Sequence, residues 1–161
     1  MSLKRSFDIL FSLIGLLIFS WVIIINWLIA AIETKSNGFF TQKRVGKDGS
    51  LFTLIKIKTM KQISGFDTTV TTKNDIRITK LGSFFRKIKL DELPALWNVF
   101  IGDMSLVGPR PDVPGYADNL KGNDRRILEL RPGITGPATL KYANEEQLLA
   151  SVNDPQKYND E

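Results

Sequence analysis

The sequence predicts an α+β fold that is mainly helical, with an N-terminal membrane helix, a small β-hairpin and amphipathic helices at the membrane interface. Three observations lead there. Ile9 to Ile32 is a run of 24 residues without a charge, and about 20 such residues suffice to cross a bilayer as a helix. Gly46-Lys47-Asp48-Gly49 separates two short runs of extended character, as a hairpin turn would. Leu81, Phe84, Phe85 and Ile88 recur at helical spacing among Lys80, Arg86, Lys87 and Lys89, the signature of a basic amphipathic helix. The 161 residues hold one domain beside the membrane element, with residues 1–34 as the membrane helix and residues 35–161 as the interfacial domain.

The apolar run is too long for the core of a signal peptide, which takes roughly 7 to 15 residues. Lys4 and Arg5 precede it, and Lys35, Lys43, Arg44 and Lys47 follow it. By the positive-inside rule both flanks stay cytoplasmic, so the helix enters the membrane and turns back; a spanning helix is the alternative. Ser20 can bend the helix by bonding to a carbonyl one turn earlier, Asn26 disfavours deep burial in lipid, and Gly15 is either a flexible point or a packing position.

Phe39 to Val45 and Leu51 to Lys58 are the predicted hairpin strands. Lys56 and Lys58 then share one face, with Ile55 and Ile57 on the other; spacing alone leaves open whether they are solvated lysines or part of a site. Gln62 to Asn74 is a polar loop. A second helix is expected from Asp91 through Leu96, Trp97 and Phe100 to Gly102, with Pro94 tolerated in its first turn. Gly108-Pro109-Arg110-Pro111 is a stiff loop that restrains Arg110. Short helices follow over Pro114 to Leu120 and Asp124 to Leu130, then a turn at Gly133 and Gly136. A strand over Ala138 to Tyr142, a weak helix over Glu145 to Val152 and a polar end complete the chain.

Composition narrows the chemistry. The chain has no cysteine and no histidine, which removes thiolate nucleophiles, disulfides, imidazole bases and the usual zinc ligands together. Carboxylates, Lys, Arg, Ser, Thr and Tyr remain, and any metal is a hard cation such as Mg²⁺. Residues 35–89 carry 13 Lys and Arg against three Asp, a net +10, whereas residues 90–161 carry 7 basic against 12 acidic residues, a net −5. The basic half follows the membrane stretch, where anionic headgroups attract each cation by roughly 1 kcal/mol.

Two adjacent carboxylates, Asp91 and Glu92, stand where the basic segment ends. An Asp at a helix start is ordinarily a cap, and a following Glu favours the positive helix end. The same helix start is also a natural phosphate site. Arg86 lies just upstream, with Arg110 and Arg131 on proline-stiffened loops, and arginine forks match phosphate oxygens with paired hydrogen bonds.

Five ordered blocks, Lys56-Ile57-Lys58-Thr59-Met60, Leu90-Asp91-Glu92-Leu93-Pro94, Gly102-Asp103-Met104-Ser105, Gly108-Pro109-Arg110-Pro111 and Arg131-Pro132-Gly133-Ile134-Thr135-Gly136, resemble those of bacterial sugar transferases, the monotopic phosphoglycosyl transferases. The resemblance implies transfer of a phosphosugar from a UDP-sugar to polyprenol (undecaprenyl) phosphate, with release of UMP, as the first membrane step of surface glycan assembly. It implies Asp91 as nucleophile and Mg²⁺ ligand, Glu92 in proton handling or metal orientation, and Lys56, Lys58, Arg86, Arg110 and Arg131 as phosphate and substrate binders. It places the catalytic domain on the cytoplasmic face of the bacterial inner membrane, among its lipids, and is compatible with a homo-oligomer. It also implies a re-entrant helix broken by a Ser-Pro pair, where this chain has Ser20-Trp21. After Gly136 the sequence departs from the family pattern, so the chain reads as either truncated or divergent there.

The alternative is a non-catalytic, membrane-anchored module that binds anionic lipid or nucleic acid through the +10 segment. Few aromatics for base stacking stand in that segment, which argues against nucleic acid. A spanning scaffold would predict nothing about Asp91.

Overall fold

The computed structural model describes residues 2–63 and 75–141. Most of the expected polar loop and the expected helix over Glu145 to Val152 lie outside them. Helix α1 (Leu3–Thr34) is followed by strands β1 (Phe39–Val45) and β2 (Leu51–Ile57), then helices α2 (Lys80–Lys87) and α3 (Ala95–Ile101). Strands β3 (Ser105–Val107) and β4 (Gly133–Thr135) and helix α4 (Pro137–Lys141) complete the order, with short 3₁₀ turns between.

Ser2 caps α1 by accepting from the Arg5 amide, and the helix runs unbroken to Lys35 in the left-handed region. Thirty-two residues at 1.5 Å each reach about 48 Å, more than the ~30 Å hydrocarbon core. The helix continues through Ser20, whose hydroxyl donates to the Leu17 carbonyl at 3.0 Å. Among the described residues the fold is thus mainly helical, around one long apolar helix and two small sheets.

The two ends of α1 are held by the same body of structure. At the start, Arg5 donates from Nη1 to the Val99 carbonyl at 2.6 Å and from Nη2 to the Phe100 carbonyl at 2.7 Å. Buried Asp8 accepts from the Ser105 hydroxyl and the Leu106 amide, and Lys4 donates to Ser105 Oγ. At the far end, Ala30 packs with Ile57 and Phe85, and Trp27 stacks at a tilt on Phe39. Between them Asn26 is buried on this side of the helix, and the Gly15 position lies against Leu96. Gly15 is therefore a packing position, and Asn26 avoids lipid by facing protein. The other faces of α1, with Leu17, Trp21, Ile24 and Ile32, stay exposed.

The hairpin forms as predicted, with Phe40 opposite Lys56 and Arg44 opposite Phe52, and it turns through Lys47–Gly49. Phe52 and Leu54 pack on Ala95, Val99 and Met104, which fixes α3 against β2. Buried Asn98 completes that join: its Oδ1 accepts from the Ile55 amide, and its Nδ2 donates to the Thr53 carbonyl at 2.8 Å.

Three expectations are corrected. The helix predicted from Asp91 is a 3₁₀ turn over Leu90–Glu92 and then α3 from Ala95, because Lys89 adopts a left-handed conformation (φ 61°) and Pro94 starts the helix afresh. Gly133 and Gly136 do not merely turn: Gly133–Thr135 is a strand parallel to β3, with Ser105 opposite Gly133. Residues 138–141, within the strand expected over Ala138 to Tyr142, are helical, consistent with the fixed φ of Pro137 at the first helical position.

Candidate active site

Asp91 and Glu92 occupy the tight turn between the basic helix α2 and the apolar helix α3. Hydrophobic packing of Phe85 below α2 and of Ala95 and Val99 below α3 pulls this turn inward. Asp91 is therefore buried, at 8% exposure, and its Oδ1 has no hydrogen-bond partner. Glu92 is half-buried and ion-paired, with Lys56 Nζ 2.8 Å from Oε1.

That difference splits the two carboxyls electrostatically. Burial pushes the Asp91 carboxyl above the usual carboxylate range, and Glu92 adds to the rise; Lys56, Arg86 and Lys89 oppose it without cancelling it. Burial also acts upward on Glu92, but Lys56, Lys89 and Arg110 outweigh it and hold that carboxyl below its ordinary value. The site thus pairs one well-satisfied carboxylate with one that lacks a partner.

Of the sequence-predicted binders, Lys56 touches Glu92 directly. Arg86 lies near enough to act on Asp91 and donates to Thr59 Oγ1 at 3.4 Å. Arg110, exposed on its loop, acts on Glu92. Lys58 and Arg131 hold other partners. Lys58 lies just past β2 and donates to Ser36 Oγ at 2.9 Å, while Arg131 Nε donates to the Gly102 carbonyl at the far end of α3. Two residues that sequence reasoning passed over also belong to the electrostatics: Lys89, which acts on both carboxyls, and Arg44, which Glu92 and Arg110 both influence. Lys89 was visible as the cation beside the acidic pair; Arg44 carried no local signal.

A family model described as bacterial sugar transferase matches residues 1–159. The chain belongs to that family. The match extends past Gly136, where the sequence blocks end. Among its relatives is a Bacillus subtilis (strain 168) protein named as a candidate undecaprenyl-phosphate N-acetylgalactosaminyl 1-phosphate transferase, 38% identical in an alignment 139 residues long that covers 79% of this chain and 78% of that one. The UDP-glucose:undecaprenyl-phosphate glucose-1-phosphate transferase of Klebsiella pneumoniae is 36% identical over 87% of this chain and 31% of its own length. An Aeromonas hydrophila UDP-N-acetylgalactosamine-undecaprenyl-phosphate N-acetylgalactosaminephosphotransferase is 36% identical over 87% of this chain and 34% of its own. The chain spans about a third of the length of these last two.

As a transferase, the protein has its cations disposed usefully. Lys56, Arg86 and Arg110 come from three separate elements and converge on one acidic turn, so an anion arriving there meets positive charge from several directions. Asp91 also suits a hard cation: its Oδ1 is an oxygen donor left unsatisfied. Mg²⁺ asks little more of a protein than such an oxygen, since it is usually held by one or two carboxylates plus phosphates and water.

Proposed function

We propose that this transferase moves a phosphosugar from a UDP-sugar to undecaprenyl or a similar polyprenol phosphate, through a covalent intermediate on Asp91. The observation that carries the reading is the buried Asp91 carboxylate with an unpartnered oxygen beside the Lys56–Glu92 pair and Arg86. In the first step an Asp91 oxygen attacks the phosphorus next to the sugar; the P–O bond to the second phosphorus breaks, and UMP leaves with the electron pair. In the second step a phosphate oxygen of the polyprenol phosphate attacks the acyl phosphate, freeing the Asp91 carboxylate and giving the lipid diphosphosugar. Splitting the transfer lets donor and acceptor use one site in turn. Lys56, Arg86 and Arg110 hold and neutralise the diphosphate, and positioning of this kind is the main contribution of a protein to phosphoryl transfer. Mg²⁺ held by Asp91 would shield the repulsion between carboxylate and phosphate. Glu92, kept ionised by Lys56, orients that lysine or handles protons.

Location supports the same reading. A polyprenol phosphate keeps its chain in lipid and its headgroup at the interface. The apolar faces of α1, the exposed Leu81 and Phe84 of the basic helix α2 and Ile88 just past its end suit insertion at that depth. Both ends of α1 bind one body of structure, which favours a helix whose ends share the cytoplasmic face over one that spans. The product is a lipid-linked sugar suited to surface glycan assembly. A panel of UDP-sugars incubated with a short polyprenol phosphate is expected to show UMP release with one or a few of them; release with none would argue against the reading. The binding-module alternative is not favoured, since the family is enzymatic.

A further inference from the structure

The Gly108–Pro111 loop carries the exposed Arg110, and the residues on either side of that arginine are tied to different strands. On the upstream side, Gly108 N donates to the Thr135 carbonyl at 3.0 Å, and Gly133 N donates to the Pro109 carbonyl at 2.8 Å. Packing is tight there: a Cβ on Gly108 would lie 2.2 Å from the Arg131 carbonyl oxygen, so only glycine fits. On the downstream side the ties come from β1. Arg44 Nη1 donates to the Pro111 carbonyl at 3.0 Å, and the Val45 amide donates to the Asp112 carbonyl at 2.9 Å. Arg44 is itself held, since its Nη2 donates to Gln42 Oε1 at 2.7 Å.

Register explains why this arginine is the one that reaches. Phe40 is opposite Lys56, so Gln42 and Arg44, two and four residues on, point to the strand face that Lys56 occupies. One face of the hairpin thus presents Lys56 to Glu92 at one end and Arg44 to the Arg110 loop at the other.

We infer that Arg44 is the positioning residue for Arg110, gripping the Pro111 carbonyl so that the guanidinium between the two prolines faces the Asp91–Glu92 turn. The prolines deny the loop backbone donors at 109 and 111, so carbonyl acceptors are the handles left on either side of Arg110, and each has one strand donor. Like charge alone would push Arg44 and Arg110 apart; Glu92 and Asp112 supply the counter-charge that permits the approach. A bound phosphate would add to it.

The inference rests on the transferase reading, and its test separates the two. Arg44→Lys keeps the charge and much of the volume but loses the fork that spans Pro111 and Gln42. In phosphosugar transfer it should raise KM for the sugar nucleotide by about tenfold to a hundredfold, the scale of a small misplacement of a binding group, with kcat changed far less. The double variant Arg44→Lys/Arg110→Ala should be no worse than Arg110→Ala alone, because Arg44 acts only through Arg110. Fully multiplicative losses would overturn the inference. An arm independent of turnover follows amide exchange at Val45, whose donor bond to Asp112 reports the seating of the loop: Arg44→Lys should speed it while Ile55, held by Asn98, is unchanged. Unaltered exchange at Val45 would also overturn it. If the parent protein transfers nothing while exchange responds as expected, the transferase reading fails and the loop assignment stands.

Discussion

Two neighbouring carboxyls are driven in opposite directions because only Glu92 has an ion-pair partner, and this difference makes Asp91 testable by itself. Its folded pKa is raised, so the folded chain holds that proton more tightly than the unfolded one: the associated stability is present at acid pH and is lost as pH rises through the folded value. Asp91→Asn replaces a buried charge by a neutral amide. It should abolish turnover yet raise the melting temperature at neutral pH, measured by thermal unfolding in one detergent; a lowered melting temperature would mean the carboxylate is structurally satisfied. Turnover of the parent should show an acid limb above the ordinary carboxylate range of about 4. Glu92 has the opposite sign. Its lowered pKa gives stability above the unfolded value that disappears as pH falls through the folded one. Lys56→Met should cost roughly 1–3 kcal/mol, between an exposed and a buried pair, and should move the acid limb further up because Lys56 also lowers Asp91. An unmoved limb would separate Lys56 from the reacting carboxyl. Asp91, Glu92, Lys56 and Arg110 were legible because they stand in short blocks. Arg44 was not, since its role depends on a loop 67 residues away.

At the scale of elements, periodicity and turn residues were enough for α1, the hairpin and α2. The pairing of β3 with β4 was not readable: each has three residues, too few for a pattern, and the partner is remote in sequence. The break at Lys89 was equally hidden, because a left-handed lysine has no sequence signature. Helix α1 carries its own prediction. A proline at position 21 would remove the amide that bonds to Leu17, but Ser20 Oγ already donates to that carbonyl, so the acceptor keeps a partner. The ring would still press on the Leu17 carbonyl and bend α1 at that turn, so Trp21→Pro should stay in the membrane fraction at a cost below the ~3 kcal/mol or more of proline in an ordinary helix interior. Loss of the protein from that fraction would show that α1 requires an unbroken ladder.

For the whole molecule, the sequence indicated a membrane helix and basic flanks but not that Arg5, Asp8 and Ala30 would bind both ends of α1 to one body of structure. Only tertiary contacts carry that information. Single cysteines at Ser2 and Ser36, in a chain with none of its own, should both resist an impermeant thiol reagent on intact cells and both react after lysis; labelling of one alone from outside would establish a spanning helix. The proposed cycle turns on attachment of the donor's phosphosugar to the buried Asp91. Its most direct test is the mass of the intact protein after incubation with the active UDP-sugar and no lipid acceptor. A gain of one phosphosugar, mapped to Asp91, matched by UMP release and absent in Asp91→Asn, is the predicted result. Formation of lipid product with no adduct at any time, or near-parental turnover by Asp91→Asn, would contradict it and favour direct transfer in a ternary complex.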